Sequence, residues 1–320
     1  MTKARLFGTL FYSNYLTRAL ALYRSLEAHS AADFTLVMLC MDDEAFRVLQ
    51  QLHLPHARLL HIRDLERSFA ELAVVKASRS MAEFSWTTTP FLLRHLQRQV
   101  AGGEKVVYLD ADMMFYSNPQ LVFDKWGDAD IAIHEHRYAP PHLHHGASSG
   151  VFNVGWVGVR NSEQGNWCVE RWASQCIELC VHDPQRGLCG DQRYLEEWPA
   201  LYDRLTVLQH KGVGLGPWNL ECYELSGSNA CPLVDGMPVI FYHFSSLRIL
   251  SNNLFGYLVI IPAVGYRFTP IQHRLIYRPY AERLRDAYRE ISSVVAGAAL
   301  VDRWPTFSEL RAIRRGILVA

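Results

Sequence analysis

Residues 105–112 read KVVYLDAD. After the leading lysine, the run is apolar, β-branched and aromatic, which suits a strand buried on both faces in the middle of a parallel sheet. It passes directly into Asp110-Ala111-Asp112. Carboxylates at the C-terminal edge of a parallel strand lie where open α/β sheets bind ligands. Two of them one residue apart, at a strand-to-loop transition, can reach one divalent ion. Mg²⁺ or Mn²⁺ with oxygen ligands would in turn hold a diphosphate. The chain supplies its own control, because Asp128-Ala129-Asp130 is the same tripeptide placed before a strand instead of after one. That copy reads as a loop and cap.

Working upstream, Leu6–Tyr12 is a buried strand and Leu16–Ala28 places Leu16, Ala19, Leu20, Tyr23 and Leu26 on one helical face. Phe34–Met41 (FTLVMLCM) is a second strand, a helix capped by Asp43 runs through Leu52, and Ala57–Ile62 is a third strand. The alternation β, α, β, α, β predicts a parallel sheet covered by helices. A threonine among Thr87–Thr89 caps a helix with Pro90 in its first turn, stopped by Gly102 and Gly103. Downstream, Asp130–His134, Val151–Val159 and Val239–Phe244 read as strands, and Glu163–Cys180, Asp191–Glu197 and Tyr280–Val294 as helices. The expected class is α/β, a mixed, mainly parallel sheet with helices on both faces.

With 320 residues that are 49% hydrophobic and 20% charged, the chain has the composition of a globular protein, which excludes disorder, collagen-like fibres and coiled coils as its main architecture. Lys plus Arg and Asp plus Glu are 32 each, so nothing in the charge advertises nucleic acid. The seven cysteines lack the paired spacings of a structural zinc site and read as reduced thiols. No signal peptide is visible at the N-terminus, and the longest apolar candidate, YLVIIPAV (257–264), is too short to span a membrane and contains Pro262. A cytoplasmic location is expected.

The segments KVVYLDADMMFYSNP (105–119), VFNVGWVGVRN (151–161), GDQRYL (190–195), GPWNLE (216–221) and FYHFSS (241–246), in that order, resemble the GT-A fold of nucleotide-diphospho-sugar glycosyltransferases, nearest to the glycogenin-like family 8 group. The likeness spans about residues 4–250. It implies a GT-A, Rossmann-like domain over 1–250, with 251–320 as a C-terminal helical extension packed on it. It further implies that Asp110 and Asp112 are the metal-binding pair and that His243 completes the site. An imidazole ligand suits Mn²⁺ better than Mg²⁺.

The nucleotide-sugar would be received by Thr9 and Leu10 at a strand edge, by Tyr15 stacked on the base, by Asp110 and Ala111, and by Trp218, which with Asn219 sits on a Gly-rich loop able to close over the donor. Similar enzymes follow the histidine with a glycine and a Lys-Pro-Trp that grip the diphosphate. This chain has Ser245, Ser246 and Arg248 instead, so Arg248 is either the replacement clamp or a surface arginine. Lys76 and Arg79 read equally as phosphate contacts or as a solvated helix face. Asn153 matches a residue that hydrogen-bonds the donor sugar, with Gly155 allowing close backbone approach. Asp191 and Gln192 match a pair whose carboxylate lies near the anomeric carbon, the rival reading of Asp191 being a helix N-cap.

The resemblance therefore implies metal-dependent transfer from a nucleotide-diphospho-sugar, by family habit a UDP-sugar, to a glycan or lipid-linked acceptor, in a retaining course. His134, Glu135, His136, His142, His144 and His145 have no helical zinc spacing and read as solvated or acceptor-facing. The basic end Arg311–Arg315 fits either contact with an anionic membrane surface or a solvated helix end. Two alternatives stand beside this reading. One is a non-catalytic nucleotide-sugar-binding protein, kept open by the altered segment after His243. The other is a haloacid-dehalogenase-type phosphatase, although its motif would open the first strand and be followed by Thr or Val, where Met114 stands.

Overall fold

The computed structural model describes residues 5–30, 34–252, 257–261 and 269–295. Pro262 and the basic end Arg311–Arg315 lie outside the described residues. The chain begins with β1 (Arg5–Phe11), α1 (Leu16–His29), β2 (Phe34–Cys40), α2 (Asp43–Leu49) and β3 (Ala57–His61). Next come α3 (Met81–Gln97), β4 (Lys105–Leu109), β5 (Met113–Phe115), β6 (Ile131–Glu135), β7 (Phe152–Arg160) and α4 (Glu163–Glu178). Then follow β8 (Leu205–Val207), β9 (Phe241–His243) and α5 (Arg278–Val294). Seven strands form one sheet in the order β8-β6-β7-β4-β1-β2-β3. β7 runs antiparallel to both of its neighbours, and every other pairing in this sheet is parallel. The expected mixed, mainly parallel sheet is thus observed.

The period-two alternation of β1 assigns the two faces. Leu6 and Leu10 pack with Phe84 and Leu92 of α3 and Trp172 of α4, whereas Phe7 and Phe11 pack with Leu20 and Tyr23 of α1 and Ile291 of α5. Gly8 is what lets α3 approach, since a Cβ there would lie 2.7 Å from Leu96 Cδ1. A third cluster joins Tyr116, Tyr242 and Phe244 to Tyr277, Tyr280 and Leu284, with Phe244 and Tyr280 stacked at 3.6 Å. Arg24 of α1 pairs with Glu290 of α5.

Local chemistry moves several boundaries. α3 starts at Met81, well before the threonines, because Ser80 and Glu83 form a reciprocal capping box. Thr87, Thr88 and Thr89 instead return hydroxyl bonds to the carbonyls of Glu83, Phe84 and Ser85, and Pro90 sits inside the helix. The cap of α2 is Asp42, whose Oδ1 accepts from the Ala45 amide at 2.7 Å, and not Asp43. The Asp191–Glu197 helix is a 3₁₀ turn over Gln192–Glu197. Of the Val239–Phe244 strand, only Phe241–His243 enters a ladder, antiparallel to β5. Among the described residues no helix is long and apolar enough to cross a membrane.

Candidate active site

β4 ends at Leu109, and the Asp110 amide donates to the Gly155 carbonyl on β7 at 2.9 Å, which anchors the loop that carries both carboxylates. The β5–β9 ladder pairs Met113 with His243 and brings the imidazole across to them. His243 Nε2 lies 3.1 Å from Asp112 Oδ1 and 3.5 Å from Asp110 Oδ2. Ligand atoms of these three residues all lie within 4.8 Å of one another. Among the described residues no other such cluster of metal-ligating side chains occurs. Two carboxylate oxygens and one imidazole nitrogen on backbone-anchored positions are a fitting donor set for a divalent cation.

The electrostatics agree with that fit. Burial raises the Asp110 carboxyl, and the charge of Asp112 adds to the rise, against the pull of His243. Burial also works against ionised Asp112, yet His243 and then Arg18 outweigh it and leave the carboxyl below its ordinary value. Burial lowers His243, but Asp112 and Asp110 overcome this and raise it.

Backbone groups decide how the surrounding polar side chains are oriented. Asn153 Oδ1 accepts from the Gly155 amide at 3.0 Å and faces His243 Nδ1 at 3.1 Å. Its Nδ2 reaches His136 Nε2 and Gln192 Oε1, both at 3.1 Å. Gln192 Oε1 also accepts from the Val154 amide, and its Nε2 donates to the Ser149 carbonyl. Tyr108 donates its hydroxyl to Asp110 Oδ1 at 2.7 Å.

A cavity of about 750 Å³ opens over this cluster. Of the residues singled out in the sequence, Leu10, Tyr15, Asp110, Ala111, Asp112, Asn153, Asp191, Gln192, Trp218 and His243 line it. Thr9 does not, and it is fully buried. Arg248 is exposed and lies outside the lining, which favours the surface reading over the clamp. Lys76 pairs with Glu66, and Arg79 donates to the carbonyls of Ile177 and Cys180, so neither is at the cavity.

Asp191 is buried and makes no capping bond, which removes the N-cap reading. Its Oδ2 has no hydrogen-bond partner among the described residues. Trp218 stands edge-on to His243 at 5.5 Å, over Gly216, where a Cβ would lie 2.4 Å from the indole. Asn219 is buried beneath the loop, its amide donating to the carbonyls of His136 and Gly214. In the histidine-rich loop, His136 and His145 line the cavity, and burial lowers the pKa values of His134 and His136 to about 3. The control tripeptide behaves differently from the site, because Asp130 is buried against Arg160 and Arg204 at the other end of its strand.

The sequence reading missed Arg18, Tyr108 and Trp86. Arg18 is 2% exposed, lies 4.3 Å over the Tyr15 ring and donates to the carbonyls of Asn14 and Leu247, the latter in the altered segment after His243. It lies between Thr17 and Ala19 on α1, where helical periodicity assigns a charged residue to solvent.

Gly155 supplies a direct test of the geometry, since a Cβ there would lie 2.5 Å from His243 Nδ1 and 2.7 Å from Asn153 Oδ1. Gly155→Ala should weaken Mn²⁺ binding roughly tenfold or more, as disturbance of groups that orient a ligand usually does. Calorimetric titration checks this, and unchanged affinity in the folded variant would contradict the assigned role of His243.

Comparison with known proteins follows the same lines. A family model described as nucleotide-diphospho-sugar transferase matches residues 33–184. YfnD, an uncharacterized protein of Bacillus subtilis (strain 168), is 30% identical over 292 residues, covering 90% of this chain and 91% of YfnD. YfnF of the same strain is 31% identical over 260 residues, covering 79% and 84%. Among solved structures, galactosyltransferase LgtC in complex with donor and acceptor sugar analogs has a TM-score of 0.50 at 13% identity, over 96% of this chain and 99% of that one, a likeness of fold.

Proposed function

Because the chain belongs to the nucleotide-diphospho-sugar transferase family, we propose that it moves a sugar from a UDP-sugar to a hydroxyl of a glycan or lipid-linked acceptor, with retention of configuration and with Mn²⁺ as its cation. The observation that carries this reading is the Asp110, Asp112 and His243 cluster facing the cavity. Asp110, Asp112 and His243 would hold the cation, which would supply charge neutralisation for the diphosphate and for the departing nucleoside diphosphate.

The protein's own groups do the rest. Tyr108 and Asn153 hold Asp110 and His243 in orientation. Buried Arg18 adds positive charge beside Asp112 and is tied to the segment that lacks the family's lysine. Tyr15 and Leu10 receive the base and ribose, and the Trp218 ring excludes water from the His243 side. Asp191 stabilises positive charge at the anomeric carbon. Among the described residues the carboxylates lining the cavity are Asp110, Asp112 and Asp191. Two face the cation position and the third is buried, so none of these three carboxylates is placed as a general base. We place the reaction in the cytoplasm, where buried thiols such as Cys168 and Cys176 stay reduced.

Thermal unfolding with Mn²⁺ and a panel of nucleoside diphosphates and nucleotide sugars tests the donor reading. Uridine nucleotides should stabilise the protein by about 2.7 kcal/mol at a hundredfold excess over Kd, and chelator should remove the shift. No shift with any nucleotide in folded protein would overturn the donor site, and an inverted anomer seen by NMR would overturn retention.

A further inference from the structure

The resemblance assigns Asn153 to the donor sugar, but its amide has nothing left to offer one. Oδ1 takes the Gly155 N–H and faces His243 Nδ1, and the two hydrogens on Nδ2 go to His136 Nε2 and Gln192 Oε1. An amide oxygen accepts two hydrogen bonds and an amide nitrogen donates two, so all four places are taken inside the protein.

The direction of every bond in this network follows from backbone groups, whose polarity is not in question. The Gly155 N–H can only donate, which identifies the facing Asn153 atom as oxygen. The Val154 N–H and the Ser149 carbonyl fix the Gln192 amide in the same way. The Val151 carbonyl can only accept, so His136 Nδ1, 3.1 Å away, carries the hydrogen. Neutral His136 then has its lone pair on Nε2, where it accepts from Asn153. With its nitrogen committed to His136 and Gln192, Asn153 presents oxygen to His243, and His243 Nδ1 must donate. That leaves Nε2, the atom nearest Asp112 and Asp110, as the position whose hydrogen a cation would replace.

We propose that His136, acting through Asn153, is a positioning residue that holds His243 in its Nδ1–H tautomer, so that Nε2 is always the atom offered to a cation. The assignment rests on the metal reading given above and goes beyond it. It turns part of the histidine-rich loop from an acceptor-facing feature into support for the cation site, and it makes Asn153 a positioning residue too. His136 has a second set of contacts that a purely structural role would use. Its ring stacks on Tyr138 at 4.6 Å and meets Trp218 edge-on at 5.0 Å.

Two substitutions separate these roles. His136→Phe keeps a ring for Tyr138 and Trp218 but removes the acceptor for Asn153. His136→Gln loses the ring and keeps an amide oxygen that can accept there. The proposal expects Mn²⁺ affinity, measured by the electron paramagnetic resonance of free Mn²⁺ without any nucleotide, to fall roughly tenfold or more in His136→Phe and to be largely restored in His136→Gln. Unchanged affinity in His136→Phe, or a loss in His136→Gln as large as in His136→Phe, would overturn it.

A measurement that needs no metal accompanies this. In metal-free protein, long-range ¹H–¹⁵N correlation spectra should show a hydrogen held on His243 Nδ1 in the wild type and lost from it in part of the molecules of His136→Phe. A bare His243 Nδ1 in the wild type would overturn the proposal even if the variants prove too unstable to study. If wild-type protein binds Mn²⁺ no better than Asp112→Ala, the metal reading itself has failed, and the tautomer spectrum alone decides whether His136 orients His243.

Discussion

Asp112→Ala should lose cation-dependent transfer by about a thousandfold or more, the equivalent of about 4 kcal/mol of transition-state stabilisation. Asp112 is the partner closest to His243 and, through that pairing, the carboxylate of the two that stays readily ionised. Its removal leaves Asp110 with a raised pKa and a single imidazole, too few donors to hold a hard divalent ion against water. The fold should survive, because the side chain stands at the cavity and outside the apolar clusters on either face of the sheet. In chelator the variant should melt within a few degrees of wild type, and added Mn²⁺ should no longer raise its melting temperature. Full activity in a folded Asp112→Ala protein would sink the cation site. A folded variant that loses activity yet keeps the Mn²⁺ shift would locate the ion elsewhere.

Asp191→Asn is expected to separate activity from stability. Asp191 is 3% exposed, and burial first, then the charges of Cys180 and Asp110, push its carboxyl well above the usual range. Above about pH 3.9 the unfolded aspartate has released its proton while the folded one still holds it. The native state thus binds the extra proton, and this group's contribution to stability falls by about 1.4 kcal/mol per pH unit until the folded pKa is reached. Asparagine resembles the neutral carboxyl and does not titrate. The variant should therefore match wild type near pH 4 and exceed it increasingly on the way to pH 7, by on the order of 1 kcal/mol or more, as read from urea unfolding at several pH values. Transfer should meanwhile drop roughly a hundredfold, because a carboxyl that has given up its proton stabilises positive charge at the anomeric carbon and an amide cannot. Parallel pH–stability curves for the two proteins would refute the buried neutral carboxyl, and wild-type turnover would remove Asp191 from the reacting centre.

The two variants also show where local reading works. Asp110 and Asp112 were visible because a buried strand, a sheet edge and a pair of carboxylates are all consecutive in the chain. His243 needed the resemblance, since nothing within FYHFSS says that β9 pairs with β5 and lies over the loop from β4. The start of α3 was legible in principle, because Ser80 and Glu83 form a capping box, but Pro90 drew attention to a later start. Thr9 and Leu10 look interchangeable as neighbours, yet only Leu10 lines the cavity.

What the linear chain determined by itself is the alternation of buried strands and amphipathic helices, and hence a mainly parallel sheet with a carboxylate pair on the edge where such sheets bind ligands. Those features depend on periodicities of two and 3.6 residues, which are properties of neighbours. Tertiary structure decided the surroundings of Arg18 and of Asn153. Arg18 reads as a solvent residue on α1 until the Leu247 carbonyl, 229 positions away in sequence, closes over it. Asn153 reads by resemblance as a donor-sugar contact, whereas in the fold His136, Gln192, Gly155 and His243 claim all four of its hydrogen-bonding places. The physical reason is common to both. Most buried polar groups are hydrogen-bonded, and the partners of these two come from segments that only the folded chain brings together.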